Sequence, residues 1–143
     1  MNIRQFAIDY AMRFIGDWYQ WGGSSPDGFD CSGFACEVLQ AVGKIHRKED
    51  LTAQEIWERF ALQRVPSPYA GCFVFYTSAS DPSRVIHIEL CINEVLSVGA
   101  SGGGSNTLTK ADAIRDQAFI KVRPFGMRAN IAGYIDVFEG VGL

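Results

Sequence analysis

The chain has 143 residues, 48% of them hydrophobic and 20% charged, with a net charge of −3. That is the length and make-up of one globular domain, read as spanning residues 1–143, with room for one core. The acidic balance, with a pI near 5.3, excludes a broad basic footprint for nucleic acid, and no run of about 18 apolar residues predicts a membrane span.

Ile3, Phe6, Ala7, Phe14 and Ile15 recur at helical spacing, which predicts an amphipathic helix over residues 2–16, stopped by Gly16. Residues 17–29, DWYQWGGSSPDGF, read as an ordered loop whose aromatic rings need burial, Trp21 among them. A second helix is predicted from Cys31 to Val42, with Asp30 as N-cap, Gly43 just past its end, and Phe34, Ala35, Val38, Leu39 and Val42 facing inward. The interrupted basic run Lys44–Lys48 reads as a solvated loop. A third helix starts at Thr52, where Thr52 and Glu55 form a capping box, and ends near Phe60 ahead of Pro66 and Pro68.

Strand character follows. Gly71–Thr77 is apolar and aromatic, and Arg84–Ile92 alternates Ile86, Ile88, Leu90 and Ile92 with Val85, His87, Glu89 and Cys91. Asn93-Glu94 reads as a two-residue turn into a returning strand, Val95–Ala100. Residues 101–107 read as a flexible loop, Thr109–Asp116 as a short helix capped by Thr109 with Asp112, and Ala118–Pro124 and Ile131–Phe138 as further strands. Helices first and a mostly antiparallel sheet afterwards predict an α+β fold with the helices on one side or end of the sheet.

Four cysteines and two histidines are available for chemistry. No Cys-x-x-Cys pair occurs and His46 and His87 lie far apart, so neither a metal nor a cofactor is expected. Cys31 stands at a helix start, where free N–H groups and the positive end of the dipole lower a thiol pKa and can hold an oxyanion. Cys36, mid-helix, reads as a buried structural thiol. A cysteine nucleophile needs a base. His46 lies beyond the far end of the Cys31 helix, about 18 Å away along a straight axis. His87 remains, on the strand face opposite Ile86, Ile88, Leu90 and Ile92.

Tyr19-Gln20-Trp21-Gly22-Gly23 followed by Gly28-Phe29-Asp30-Cys31-Ser32-Gly33-Phe34 resembles the signature of NlpC-type cell-wall cysteine peptidases of bacteria and their phages. Gly71-Cys72-Phe73-Val74-Phe75-Tyr76 resembles that family's Gly-Asp-Leu-Val-Phe-Phe strand, and His87-Ile88-Glu89-Leu90 its His-Val-Gly-Ile strand. The resemblance runs over roughly residues 5 to 138. It implies a papain-like core, Cys31 as nucleophile, His87 as base, and hydrolysis of peptidoglycan stem peptides, commonly at a γ-D-glutamyl–diamino acid bond. It implies that Tyr19 supports the oxyanion and that Asp30 and Ser32 bind the free amine of the stem peptide. Without a secretion signal at Met1–Tyr10, a phage-encoded member would stay in the host cytoplasm until release or ride on the virion, and a partner would direct it to the wall.

Two departures stand out. The family usually places a polar third residue, often His, on the strand after the His strand; twelve residues past His87 this chain has Gly99. Glu89 is a candidate in its stead, on the same strand face as His87, although side chains at i and i+2 run parallel about 6–7 Å apart. Ser97, Ser101, a backbone carbonyl or a water are further candidates. Cys72 stands where the family usually has Asp, and reads as a core thiol. Gly99 also leaves open an inactive module that only binds stem peptides, and the same fold could serve an amidase or acyltransferase.

Overall fold

The computed structural model describes residues 2–25 and 28–139. Pro26 and Asp27, part of the aromatic loop read from the sequence, lie outside the described residues. Among the described residues, four α-helices and eight strands follow in the order α1 (Ile3–Met12), β1 (Ser24–Ser25), β2 (Gly28–Phe29), α2 (Cys31–Ala41), α3 (Ala53–Arg59), β3 (Arg64–Val65), β4 (Phe73–Thr77), β5 (Val85–Cys91), β6 (Leu96–Ser101), α4 (Lys110–Asp116), β7 (Phe119–Pro124) and β8 (Ile131–Ile135). Six strands form the main sheet in the order β3-β8-β4-β5-β6-β7, antiparallel throughout. The α+β expectation holds: β4 to β7 meander, while β8 returns beside β4 and carries the short strand β3, which the sequence reading passed over. Among the described residues no helix is long and apolar enough to cross a membrane.

The helices start where their caps dictate. Asn2 accepts the Arg4 N–H at 2.8 Å, Asp30 accepts the Gly33 N–H at 2.6 Å, and Thr52–Glu55 and Thr109–Asp112 form complete capping boxes. α1 is shorter than its apolar pattern suggests. It ends at Met12, and its buried residues are Ala7, Ile8 and Ala11, while Phe6 and Ile15 are exposed. Past the helix end Phe14 turns inward and meets Phe29 and Phe34 edge-to-face, at 5.4 and 5.9 Å between centroids. This aromatic triad joins α1, β2 and the first turn of α2, and so fixes where Cys31 begins its helix.

The sheet is covered on both faces. Phe73, Phe75, Val85, Ile88, Leu90, Val98 and Ile120 belong to the core shared with the helices; Cys72, Val74, Tyr76, Cys91 and Phe125 form a smaller cluster on the other side. β5 departs from strict alternation because Ile86 is an extra residue in its pairing with β4: Tyr76 faces His87 and Thr77 faces Val85. The bulge hands the core position to Val85 and leaves Ile86 partly exposed, which corrects the inward placement of Ile86. A second bulge opens β4, where Gly71 at φ +95° donates to the Cys91 carbonyl and Cys91 N–H to that of Cys72. The turn after β5 holds three residues rather than two: Ile92 N–H reaches Leu96 O, and the Asn93 side chain accepts from Val95 and Leu96 N–H.

Candidate active site

The site forms where two neighbouring strands part. β4 and β5 pair over five positions and β6 and β7 over six, but β5 and β6 pair only at Leu90–Val98 and Cys91–Ser97. Upstream of Leu90 the two strands are no longer partners, and the amino end of α2 comes to this opening. Cys31 Sγ lies 3.8 Å from the carbonyl oxygen of Ile86, the bulged residue directly before His87. Cys31 as a residue is partly exposed.

The loop ahead of α2 is shaped by backbone contacts. Tyr19 N–H donates to Ala118 O at 2.9 Å, Gln20 N–H to Phe29 O at 2.9 Å and Trp21 N–H to Thr107 O at 2.8 Å, so the segment is stapled between β2 and the stretch leading to β7. Asp30 Oδ2 accepts Gly22 N–H at 3.0 Å, and Oδ1 accepts Gly33 N–H and, at 3.4 Å, the Ser32 hydroxyl. Gly33 is required sterically: a Cβ there would run into the Gly23 carbonyl, which itself accepts the Asp30 N–H. Tyr19 is buried, and Gly103 lies so close to its ring that no side chain fits there. The Gly-rich segment therefore borders Tyr19 through Gly103. Trp21, expected in the core, is about half exposed beside this loop, because its backbone rather than its ring is what the loop holds.

Glu89 resolves the geometry that sequence spacing made doubtful. Its Oε2 lies 2.6 Å from His87 Nε2 and accepts the Ser101 hydroxyl at 2.7 Å, and its Oε1 accepts the Ser97 hydroxyl at 2.7 Å. The strand twist and the long Glu side chain bridge the i to i+2 separation that a shorter carboxylate would leave open. Arg123, on β7 opposite Ser97, adds a cation 3.6 Å away. Burial opposes the Glu89 charge, but the His87 bond and the two hydroxyls outweigh it and bring its pKa down to about 2. Gly99 has a direct explanation: a Cβ there would sit 2.6 Å from Glu89 Cγ. The carboxylate occupies the space that a side chain at position 99 would need.

Burial works against charge on both the thiol and the imidazole. Burial holds His87 below its ordinary pKa, against the opposing pull of Glu89 and with help from Arg128 and Arg123. Burial and the Asp30 carboxylate push Cys31 up to about 12, against the lowering expected from the helix start. Burial is the main reason, and the cap adds to it: Asp30 takes the Gly33 N–H and sets a negative group where the dipole would act. Ionised Glu89 only accepts, so His87 Nε2 carries the proton and Nδ1 has the lone pair. Burial, then the Cys31 and Asp30 charges, raise the Tyr19 phenol, which stays protonated. Cys36 is structural, its sulfur bonded to both backbone groups of Leu51 at 3.3 and 3.4 Å.

This arrangement of a thiol at a helix start, beside a strand that carries a carboxylate-held imidazole, coincides with a matching sequence profile, that of the NlpC/P60 family over residues 16–123. The chain belongs to the NlpC/P60 family. It is 29% identical over 102 residues to the probable peptidoglycan endopeptidase LytE of Bacillus subtilis, covering 71% of this chain and 29% of LytE. A shorter match, 54% over 35 residues, is to protein P54 of Enterococcus faecium, over 24% of this chain and 7% of P54. The chain thus spans less than a third of either relative.

Solved NlpC/P60 structures share the fold. One from Bacillus cereus superposes with a TM-score of 0.72 at 20% identity, over 92% of this chain and 39% of that one. The NlpC/P60 domain of the peptidoglycan hydrolase SagA gives 0.64 at 21%, over 94% and 98%. The peptidoglycan hydrolase RipB of Mycobacterium tuberculosis gives 0.68 at 20%, over 94% and 63%. Within this NlpC/P60 fold the structure brings Cys31, Asp30, Ser32, Tyr19, His87 and Glu89 into one neighbourhood. Arg123 and Arg128, which also bear on it, escaped the sequence reading. No linear spacing connects them to His87, and only the β6–β7 pairing carries Arg123 there.

Proposed function

We propose that this chain is a cysteine peptidase acting on peptidoglycan stem peptides, with a γ-D-glutamyl–diamino acid bond as its preferred target. The observation that carries the proposal is the 2.6 Å His87–Glu89 pair on the strand whose preceding carbonyl touches Cys31 Sγ. His87 Nδ1 takes the thiol proton as Cys31 attacks the scissile carbonyl. The imidazolium so formed is stabilised by Glu89, which also keeps Nδ1 the unprotonated nitrogen beforehand. The Cys31 N–H, with no acceptor among the described residues, and the protonated Tyr19 hydroxyl are the donors this reading assigns to the developing oxyanion. The imidazolium returns its proton to the leaving amine, and water, activated by the same base, releases the acyl group from sulfur.

Asp30 caps α2 and orders the Gly22 turn. Together with Ser32 it is also the anionic group in reach of a stem peptide's free amine. The inactive-module reading drew on Gly99, and Glu89 supplies the polar partner whose absence motivated it. Digestion of purified peptidoglycan and of defined stem peptides, read by mass spectrometry, tests the proposal. Cleavage at one amide bond should vanish in Cys31→Ala and His87→Ala. Unchanged substrate after long incubation with the native chain, or equal products from Cys31→Ala, would overturn it.

A further inference from the structure

Arg128 follows the short turn Phe125–Met127 and precedes β8. Its guanidinium carbon lies 5.4 Å from the centroid of the Tyr76 ring, and that ring lies 5.4 Å from the His87 imidazole. The Tyr76 hydroxyl donates to Phe125 O at 2.8 Å, so the turn that carries Arg128 is tied to the strand neighbour of His87. The other arginines near carboxylates are spoken for: Arg4 by Asp136 at 2.8 Å, Arg59 by Glu49 at 2.7 Å, Arg115 by Asp116 at 3.0 Å and Asp112 at 3.2 Å, and Arg123 by Glu89 at 3.6 Å. Arg128 is half-buried and, among the described residues, its side chain has neither a carboxylate partner nor a hydrogen bond. Its charge reaches Cys31 and Tyr19 as well as His87.

A lone cation in this position has a cost for the chemistry. It favours the thiolate, but it opposes the positive charge that His87 must take up, and half-burial keeps water from screening it fully. An anion seated on the guanidinium would remove that opposition at the moment the substrate is in place. A planar, five-donor guanidinium suits a carboxylate, which it can grip with two parallel hydrogen bonds.

We infer that Arg128 is a carboxylate-recognition residue at the rim of the Cys31–His87 site, and that the preferred substrate carries a free carboxylate beside the scissile bond. The inference rests on the peptidase reading above and adds a substrate feature to it. A γ-linked glutamyl residue has such a group: its side-chain carboxyl is the acyl carbon under attack, and its α-carboxylate stays free. The terminal carboxylate of a short leaving peptide is the other source.

Calorimetric binding to the Cys31→Ala protein tests this without requiring turnover. Three stem peptides are compared: the free acid, the α-carboxamide, and the peptide amidated only at its terminal carboxyl. The free acid should bind about tenfold tighter than one of the amides, and which amide is the weaker identifies the carboxylate. Arg128→Gln should bring that ratio close to one, while Arg128→Lys keeps part of it. A cation that merely caps Tyr76 would lower the melting temperature in Arg128→Gln and leave the ratio alone. A ratio near one in both proteins, a ratio indifferent to Arg128→Gln, or no binding of any of the three overturns the inference. In the native chain the same peptides give kcat and KM, the preference appearing chiefly in KM. Acid-selective binding with no cleavage would sink the peptidase reading and leave the role of Arg128 standing.

Discussion

Glu89 and Asp136 are both buried carboxylates beside an arginine, and both accept several hydrogen bonds, yet they differ in who the donors are. Asp136 accepts from Arg4 at 2.8 and 3.2 Å, from the Tyr69 hydroxyl at 2.6 Å and from Phe138 N–H at 2.9 Å. None of these donors changes charge near neutrality, and the cluster ties the first turn of α1 to the segment ahead of β4 and to the chain after β8. Glu89 accepts from two serine hydroxyls and from His87, with its arginine held off at 3.6 Å. Its network therefore contains one group that can take a proton at its far nitrogen. The same element of protein chemistry is a lock in one place and a poised base support in the other, and the identity of a single donor makes the difference.

Substitutions at the two carboxylates should separate these roles. Glu89→Gln has the largest expected effect on turnover. A Gln amide can still accept from Ser97 but presents N–H toward Nε2 and Ser101, which shifts the His87 proton to Nδ1, and kcat should fall by about 10³–10⁴ with the fold retained. A fall of less than tenfold would show that Glu89 does not orient the base. Asp136→Ala should do the reverse. Leaving Arg4 and Tyr69 unpaired costs about 3–5 kcal/mol in urea unfolding, while kcat of the folded fraction stays near native. An equal loss of turnover would erase the distinction between the clusters.

Position 99 sharpens the comparison. Gly99→His alone pushes against Glu89 and should cut kcat/KM about tenfold or more through displacement of the carboxylate. Glu89→Gly combined with Gly99→His restores the pattern usual in the family, and should recover activity relative to either single change. Additive losses in the double variant would count against the exchange.

The pH profile is a gentler test. His87 must be neutral to accept the thiol proton, so kcat/KM rises as pH climbs through its pKa, and that limb should lie below 6.5 because burial lowers it. Glu89→Gln removes a raising influence and should move the limb lower still. With Cys31 pushed up to about 12, no falling limb should appear between about pH 7 and 10. An alkaline fall near the ordinary thiol value would instead indicate an ion-pair resting state. The smallest effect is expected for Ser101→Ala, about 0.5–1.5 kcal/mol in stability and a few-fold in kcat, since Ser97 and His87 still hold Glu89.

The local signals were legible where a short stretch of chain determines its own structure. Asp30 before Cys31, Thr52 with Glu55 and Thr109 with Asp112 announced three helix starts, because a cap is an interaction between residues two or three apart. The alternation of β5 was legible too, except at Ile86, where a bulge is defined by the partner strand rather than by β5 itself. β3 was missed because two residues carry no periodicity, and Trp21 was placed inside because hydrophobicity alone does not say which residues a loop turns outward. The thiol pKa was misjudged by counting the helix dipole and leaving out the cap's own charge and the burial.

The amino-acid sequence by itself determined the caps, the strands' apolar faces and the motif that put Cys31 and His87 forward, since these depend on neighbours along the chain. Tertiary structure alone decided that β5 and β6 part after two paired positions, that Glu89 fills the space left by Gly99, and that Arg123 and Arg128 stand near the imidazole. Those relations hold between residues far apart in sequence. They are set by strand twist, register and packing, which act only once the sheet has closed around the amino end of α2.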